Sequence, residues 1–303
     1  MQRILVIRGG AIGDFVLTLP AVKLLRDEYP DARLEILAYK HIAALAEHRF
    51  HADATRSIEY GPLASFFANR GELDEELSRY FGSFDLMVSY LFDPDGIFHR
   101  NLQRCGVDTL IAGPPKLADG AHAAVQLARP LEQLGLTLHD PAAQLYPSAD
   151  DREFGREFLG GDARPIAIHP GSGSAAKNWP AERWNALLAA LADRELLVIG
   201  GEADERVLAS LRAHSARRAS ILPLPQLAAV IERCALFVGH DSGVSHIAAA
   251  VGTPCVLLFG PTNPAVWAPA NAGVEVIRAP SAQLNDITLE QVLERVRAAL
   301  AKS

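Results

Sequence analysis

Along the whole chain, short apolar runs rich in Val, Ile and Leu alternate with longer stretches in which apolar residues recur at helical spacing. Runs this short and this apolar suit strands buried on both faces, and their alternation with helices predicts βα units around parallel sheets. In the first half the pattern predicts strands at Arg3–Ile7, Arg33–Ala38, Thr55–Glu59, Asp85–Tyr90 and Thr109–Ile111. Between them lie helical segments such as Asp14–Glu28, where Val16, Leu17, Leu19, Leu24 and Leu25 can form an apolar face. From Leu136 to Pro147 the pattern lapses into an extended connector. A second series then predicts strands at Ile166–His169, Leu196–Ile199, Ser220–Leu222, Leu236–Val238, Cys255–Phe259 and Val274–Ile277. A last helix, residues 288–301, carries Leu289, Val292, Leu293, Val296 and Leu300 at helical spacing. It can pack locally or return to brace the first half.

Two βα series on either side of a connector predict an α/β protein with two doubly wound, Rossmann-like domains, residues 1–147 and 148–303. At roughly 150 residues per domain, a chain of 303 residues suits that division. One αβ barrel is the competing architecture. The carboxyl ends of parallel strands are where loops converge, so the two domains are expected to face each other across a ligand-binding cleft and to close on their ligands.

Composition narrows the function classes. With 29 Lys and Arg against 36 Asp and Glu the net charge is −7, which argues against a general nucleic-acid binder. Cys105, Cys234 and Cys255 are far apart with no CxxC pair, as expected of buried thiols in a reducing compartment. The first apolar run is too short for a signal peptide, and no run approaches the ~18 apolar residues of a membrane span. A cytoplasmic protein is expected, with peripheral contact at a membrane face left open.

Candidate chemistry begins at Arg8-Gly9-Gly10-Ala11-Ile12-Gly13-Asp14, where the first strand runs through glycines into a helix. Gly10 and Gly13 let the backbone approach a ligand, and the helix start offers unpaired N–H groups. A dinucleotide fingerprint anchored on these glycines would need glycine where Arg8 stands, and the second strand ends without an acid for a ribose. Asp14 has two readings: a first-turn acid that complements the helix dipole, or a carboxylate displayed to take a proton from an incoming hydroxyl.

The second half opens with His169-Pro170-Gly171-Ser172-Gly173-Ser174, followed by Lys177, Trp179 and Pro180. Small hydroxylic and glycine residues with one lysine make an anion cradle, with Ser172 and Lys177 its candidate ligands, or a plain small-residue loop. Glu202, after the strand ending Gly200-Gly201, can hold ribose hydroxyls or start a helix. The densest signal is Gly239-His240-Asp241-Ser242-Gly243-Val244-Ser245-His246. There Asp241 can bind sugar hydroxyls, and the N–H groups of Ser242, Gly243 and Val244 can meet a diphosphate. No metal site is expected, since His240, Asp241 and His246 match no zinc spacing, and Asp93-Pro94-Asp95 reads as a Pro-containing turn. Asp241-Ser242-Gly243 does not meet the GxSxG nucleophile pattern.

Several blocks taken together resemble glycosyltransferase family 9, the heptosyltransferase family of the lipopolysaccharide inner core. They are Gly13-Asp14 with Thr18-Leu19-Pro20-Ala21; His169-Pro170-Gly171 with Lys177, Trp179-Pro180 and Arg183-Trp184; Gly200-Gly201; and Asp241-Ser242-Gly243 with His246, Ala248-Ala249-Ala250 and Phe259-Gly260-Pro261-Thr262. The resemblance implies a GT-B architecture, with an acceptor-binding N-terminal domain and a C-terminal domain for a nucleotide-sugar. It implies inverting transfer from an ADP-sugar, ADP-heptose in the family, to a glycan or lipid-linked glycan hydroxyl, with the donor a substrate and no cofactor or metal needed. By the same resemblance Asp14 is the general base; Ser172, Lys177, Glu202, Asp241, Ser242, Gly243, Val244 and His246 bind the donor; and Arg8, Gly10 and Gly13 belong to the acceptor side. The work would be done in the cytoplasm or at the cytoplasmic face of the inner membrane.

The chain departs from the family at His240, where Asn is common, and in the segment Ser89–Gly96, which lacks basic acceptor-type residues. Arg8, Lys40, Arg100 and Arg104 are the candidates for a local basic patch toward a phosphorylated acceptor. The other function classes are a non-transferring nucleotide-sugar binder, a sugar-nucleotide 2-epimerase on the same fold, and an oxidoreductase.

Overall fold

The computed structural model describes residues 2–107, 109–114, 116–174, 177–212 and 216–302, with only the backbone of Glu202. The chain folds into two compact units, one up to Ala118 with Ala123–Pro141, the other Asp119–His122 with Ala142 onward.

The first unit holds β1 (Arg3–Arg8), β2 (Arg33–Ala38), β3 (Ala54–Ser57), β4 (Leu86–Ser89) and β5 (Leu110–Ala112). They form one sheet in the order β3-β2-β1-β4-β5, every neighbouring pair parallel. Ile4, Leu5, Val6 and Ile7 of β1 are all buried, as an apolar run covered on both faces must be. The helix Ile12–Glu28 follows β1 and buries nearly its whole circumference, Phe15 through Val22 and Leu25. It tolerates Pro20 in its interior, where the ring removes one helical N–H.

The second unit contains β6 (Ile166–Ile168), β7 (Leu196–Gly200), β8 (Arg217–Ser220), β9 (Leu236–His240), β10 (Cys255–Phe259) and β11 (Val274–Arg278). The sheet order is β8-β7-β6-β9-β10-β11, again all parallel. Both sheets therefore reverse direction of winding beside their first strand, between β1 and β4 and between β6 and β9. The crevice beyond the carboxyl ends at such a switch point is where open α/β sheets bind ligands.

The expected strand at Ser220–Leu222 is displaced to Arg217–Ser220. It is an edge strand with only Ala219 buried, so burial left little apolar pattern to read, and Ile221, exposed at φ 55°, ends it in a left-handed turn. The last helix, Leu289–Leu300, is capped by Thr288 and Gln291 and packs Val292, Val296 and Ala299 into the core of the second unit with Ile166, Val238 and Val256. Of the three free cysteines, Cys234 and Cys255 are buried, whereas Cys105 is only half-buried because it caps the end of helix Ile97–Arg104. Among the described residues no helix is long and apolar enough to cross a membrane.

Candidate active site

In the first unit the chain leaves β1 at Arg8 and enters its helix at Ile12, two residues ahead of the expected start. The turn needs Gly10: its φ is +97°, and a Cβ there would stand 2.8 Å from Asp14 Oδ2. Asp14 is thereby the third helical residue, and its Oδ2 accepts the N–H of Ala11 at 3.0 Å, one half of a capping box. The other oxygen, Oδ1, lies 3.3 Å from Arg8 Nη2. Arg8 Nε also donates to the Asp14 carbonyl, 3.3 Å away, which takes the Thr18 hydroxyl at 2.8 Å as well.

The Arg8 side chain is 12% exposed and that of Asp14 34%, so the carboxylate is displayed and the cation sits beneath it. Burial pulls the Arg8 guanidinium down from its ordinary value, against the opposing pull of Asp14 and Tyr90. Arg8, Gly10, Gly13 and Asp14 thus come together as expected, but Arg8 is committed to Asp14 rather than to a basic patch. Asp93 is accounted for by its helix: its two oxygens accept the N–H groups of Phe98 and His99 at 3.2 and 2.9 Å.

In the second unit the candidate residues gather at the ends of β6, β7, β9 and β10. Lys177 Nζ lies 2.6 Å from Asp241 Oδ2, which also accepts the Thr262 hydroxyl at 2.7 Å. Here the exposures are reversed: the lysine side chain is 30% exposed and the aspartate 11%. Ser242 caps the helix Gly243–Ala250, and the N–H groups of Gly243 and Val244, in its first turn, have no intrahelical partner. Ser172 Oγ lies 2.6 Å from Asn178 Oδ1, tying the loop to itself. Glu202 starts a short helical segment, and its side chain lies outside the described residues. His246 is buried in the same helix as Val244.

Two residues have roles that the sequence did not assign. Asp204 accepts the N–H of Gly201 at 2.9 Å and pairs with the buried His169, Nε2 to Oδ2 at 3.2 Å. Burial pushes the Asp204 carboxyl up, but the bonds from His169 and Gly201 outweigh it and hold the group below the usual carboxylate value. Gly171 packs over this carboxylate so closely that a Cβ would lie 1.7 Å from Asp204 Oδ1. The other ring nitrogen of His169, Nδ1, stands 3.3 Å from Ser242 Oγ, so one chain of contacts joins the ends of β7, β6 and β9.

His240 is the second. Wholly buried, it accepts the Trp179 N–H at Nε2, 2.8 Å away, and its Nδ1 lies 3.4 Å from the Gly171 carbonyl, with Trp184 edge-on at 5.2 Å. Burial first, and the nearby His169 second, pull its pKa down to about 3. This neutral ring pins the His169–Trp179 loop to β9 and has no surface with which to touch a ligand. The Gly-Gly-Glu-Ala-Asp run was the available signal for Asp204; nothing in one sequence separates a buried His240 from a displayed one. Among the described residues no three His, Cys, Asp or Glu side chains converge as metal ligands.

Residues 116–296 match the sequence model of glycosyltransferase family 9 (heptosyltransferase). The chain belongs to glycosyltransferase family 9. It is 25% identical to lipopolysaccharide heptosyltransferase 3 of Escherichia coli K12, over 85% of this chain and 82% of that one. It is also 25% identical to lipopolysaccharide heptosyltransferase 2 of the same strain, over 99% of both. In fold it is similar to a family 9 glycosyl transferase from Veillonella parvula, with a TM-score of 0.85, 21% identity and coverage of 100% and 98% of the two chains. The likeness to the ADP-heptose lipopolysaccharide heptosyltransferase II of E. coli gives a TM-score of 0.79 at 20% identity, over 100% and 99%. The protein is accordingly a heptosyltransferase-like glycosyltransferase, and its two parallel α/β units are those of the GT-B fold.

Proposed function

We propose that this protein transfers a heptose or related sugar from an ADP-sugar to a hydroxyl of a lipopolysaccharide-type or other glycan acceptor, with inversion at the anomeric carbon. The observation that carries the reading is Asp14: a carboxylate with one oxygen fixed by Ala11 N–H and the other beside Arg8, displayed on a turn that Gly10 makes possible. In the reaction the acceptor oxygen attacks the anomeric carbon, the bond from that carbon to the diphosphate oxygen breaks, and its electron pair leaves with ADP. The hydroxyl proton passes to the Asp14 carboxylate as the attack proceeds. Charge builds on the departing diphosphate, and Lys177 with the first-turn N–H groups of Gly243 and Val244 stabilises it.

On this reading the N-terminal domain, with Arg8, Gly10 and Gly13 around the base, takes the acceptor, and the C-terminal domain takes the donor. Asp241 and Ser242 meet hydroxyls of the sugar nucleotide, while Ser172, Glu202 and His246 complete the donor pocket. The donor is a sugar nucleotide made in the cytoplasm, where transfer takes place, and a lipid-linked acceptor brings the enzyme to the inner face of the membrane. The family's donor chemistry and the heptosyltransferase names of the relatives support ADP-heptose.

A turnover panel of ADP-, UDP-, GDP- and dTDP-sugars with a lipid A–Kdo type acceptor tests the reading. ADP release dependent on acceptor, with ADP-heptose preferred, is expected. Stabilisation by NAD(P) alone, without turnover of any sugar nucleotide, would overturn it.

A further inference from the structure

A shallow, open, charged depression lies in the first unit, lined by none of the strand-end residues already described. Its volume is about 680 Å³, and it opens between the segment after Phe67 and the helix Ile97–Arg104. The lining side chains are Asn69, Arg70, Arg100, Asn101, Gln103 and Arg104, three guanidiniums and three amides with no carboxylate among them. In a chain of net charge −7 this is a local inversion of sign.

Its arginines are exposed, and the loop and helix that carry them are fastened together. Asn101 is buried, and its Nδ2 donates to the carbonyls of Phe66 and Ala68 at 2.9 and 3.0 Å, which fastens the loop to the helix. Its Oδ1 accepts from Arg104 Nη1 at 2.9 Å, and Arg104 Nη2 donates to the Gly71 carbonyl at 3.1 Å. That guanidinium is thus held from two sides before any ligand arrives, which lowers the entropy lost on binding. Arg100, one turn earlier, is steadied by the Asp95 carbonyl at 2.6 Å. These contacts use neutral carbonyl and amide oxygens, so the positive charge stays uncompensated: among the described residues none of the three arginines is ion-paired. The C-terminal end of the helix contributes a partial negative charge of about half a unit, which three full positive charges outweigh.

We propose that this cavity is a binding site for a phosphate ester, separate from the donor and base residues and independent of the transfer reaction assigned above. Planar guanidinium forks suit the oxygens of a phosphate, and the flanking amides of Asn69 and Gln103 can meet hydroxyls next to it. The depression is open to solvent, so the group that bears the phosphate can extend out of it; that group is either a phospholipid headgroup or a phosphorylated sugar.

The test uses the full chain and two probes. Glycerol 3-phosphate is titrated while the side-chain Nε–H resonances of the arginines are followed. Vesicles of phosphatidylglycerol with phosphatidylcholine, and of phosphatidylcholine alone, are sedimented with the protein. Glycerol 3-phosphate is expected to shift Arg70, Arg100 and Arg104 together. The double variant Arg70→Gln/Arg100→Gln, which keeps the Asn101–Arg104 tie that holds the loop, should bind at least tenfold more weakly, and Arg218→Gln should bind as the parent does. Sedimentation with the anionic vesicles only, lost in the double variant, assigns the headgroup as the source; binding of glycerol 3-phosphate without sedimentation assigns a phosphorylated sugar. If neither probe engages the three arginines, or if the folded double variant binds both probes as the parent does, the proposal is overturned. ADP-sugar turnover on a soluble acceptor reports the transfer reaction separately.

Discussion

Each unit ends the first strand of a parallel sheet in a glycine-bearing turn, yet the two turns display charges of opposite sign. After β1 the chain reaches its helix within Gly9–Ala11, and a partly exposed carboxylate, Asp14, lies over a less exposed cation, Arg8. After β6 the segment runs from His169 to Pro180 before its helix, and a partly exposed cation, Lys177, lies over a less exposed carboxylate, Asp241. The same topological position thus presents a carboxylate in one unit and an ammonium in the other; the proposed mechanism uses the first as proton acceptor and the second as anion clamp. The loop length goes with the difference: a short turn places a side chain of the helix itself, while a longer one can carry a lysine across to the neighbouring strand end.

The comparison predicts that the two displayed charges fail in different ways. Asp14→Asn should lower turnover by about a hundredfold to ten-thousandfold, the usual worth of a positioned base, while ADP-sugar affinity stays within about twofold. Turnover near the parent value would take the base role from Asp14 and reduce that turn to a capped helix.

Next in size is the acid sensitivity of the second turn. The unfolded chain protonates the His240 ring near pH 6.5, the folded protein only near about 3, so the unfolded state binds more protons between those values. The stability from the neutral ring is whole above pH 6.5 and falls as the pH drops, by about 2 kcal/mol at about pH 5. His169, Asp204 and Asp241 lie around the same ring, so the measurement is a difference: urea-unfolding free energy against pH for the parent and for His240→Asn. Parallel slopes would deny the ring this part.

Lys177→Ala should weaken ADP binding about tenfold, the worth of one charge-assisted hydrogen bond, and flatten its dependence on salt. An unchanged dissociation constant in calorimetry would leave the clamp to the helix N–H groups alone. The smallest effect is expected of Ser242→Ala, a cap whose loss costs about 1 kcal/mol in thermal unfolding. A cost several times larger would mean that the hydroxyl holds the strand ends together.

Much of the architecture was legible because burial writes itself as apolar runs. Ile4–Ile7 and Cys255–Phe259 are strands that must be hydrophobic on both faces, and both lie where the pattern puts them. The edge strand Arg217–Ser220 escaped because it buries almost nothing, and an edge leaves no such record. Within the candidate site, Asp14, Lys177 and Asp241 stand out in the sequence because they lie in turns rich in glycine and small residues. Their buried or paired partners were not: Arg8 beneath Asp14 is 6 positions away in sequence, but Asp204 meets His169 across 35 positions and His240 meets Trp179 across 61. Such pairs exist only once strands β6, β7 and β9 lie side by side. Of the four residues expected in one basic patch, Arg100 and Arg104 line a depression with Arg70, Arg8 is occupied by Asp14, and Lys40 is not part of that lining.

The contacts around Ser242 tie the direction of its hydroxyl to the state of one ring. Asp204, ionised, can only accept, so in the neutral state of His169 the ring hydrogen sits on Nε2 and Nδ1 faces Ser242 as a lone pair. Ser245 gives its own hydrogen to the His240 carbonyl and likewise turns a lone pair toward Ser242, 3.1 Å away. In that state one proton has two internal takers, and an outside oxygen must compete with both. Toward a ligand Ser242 is then better suited to welcome a hydroxyl than to give to a phosphate, for which the backbone N–H groups beside it are already free of helical partners.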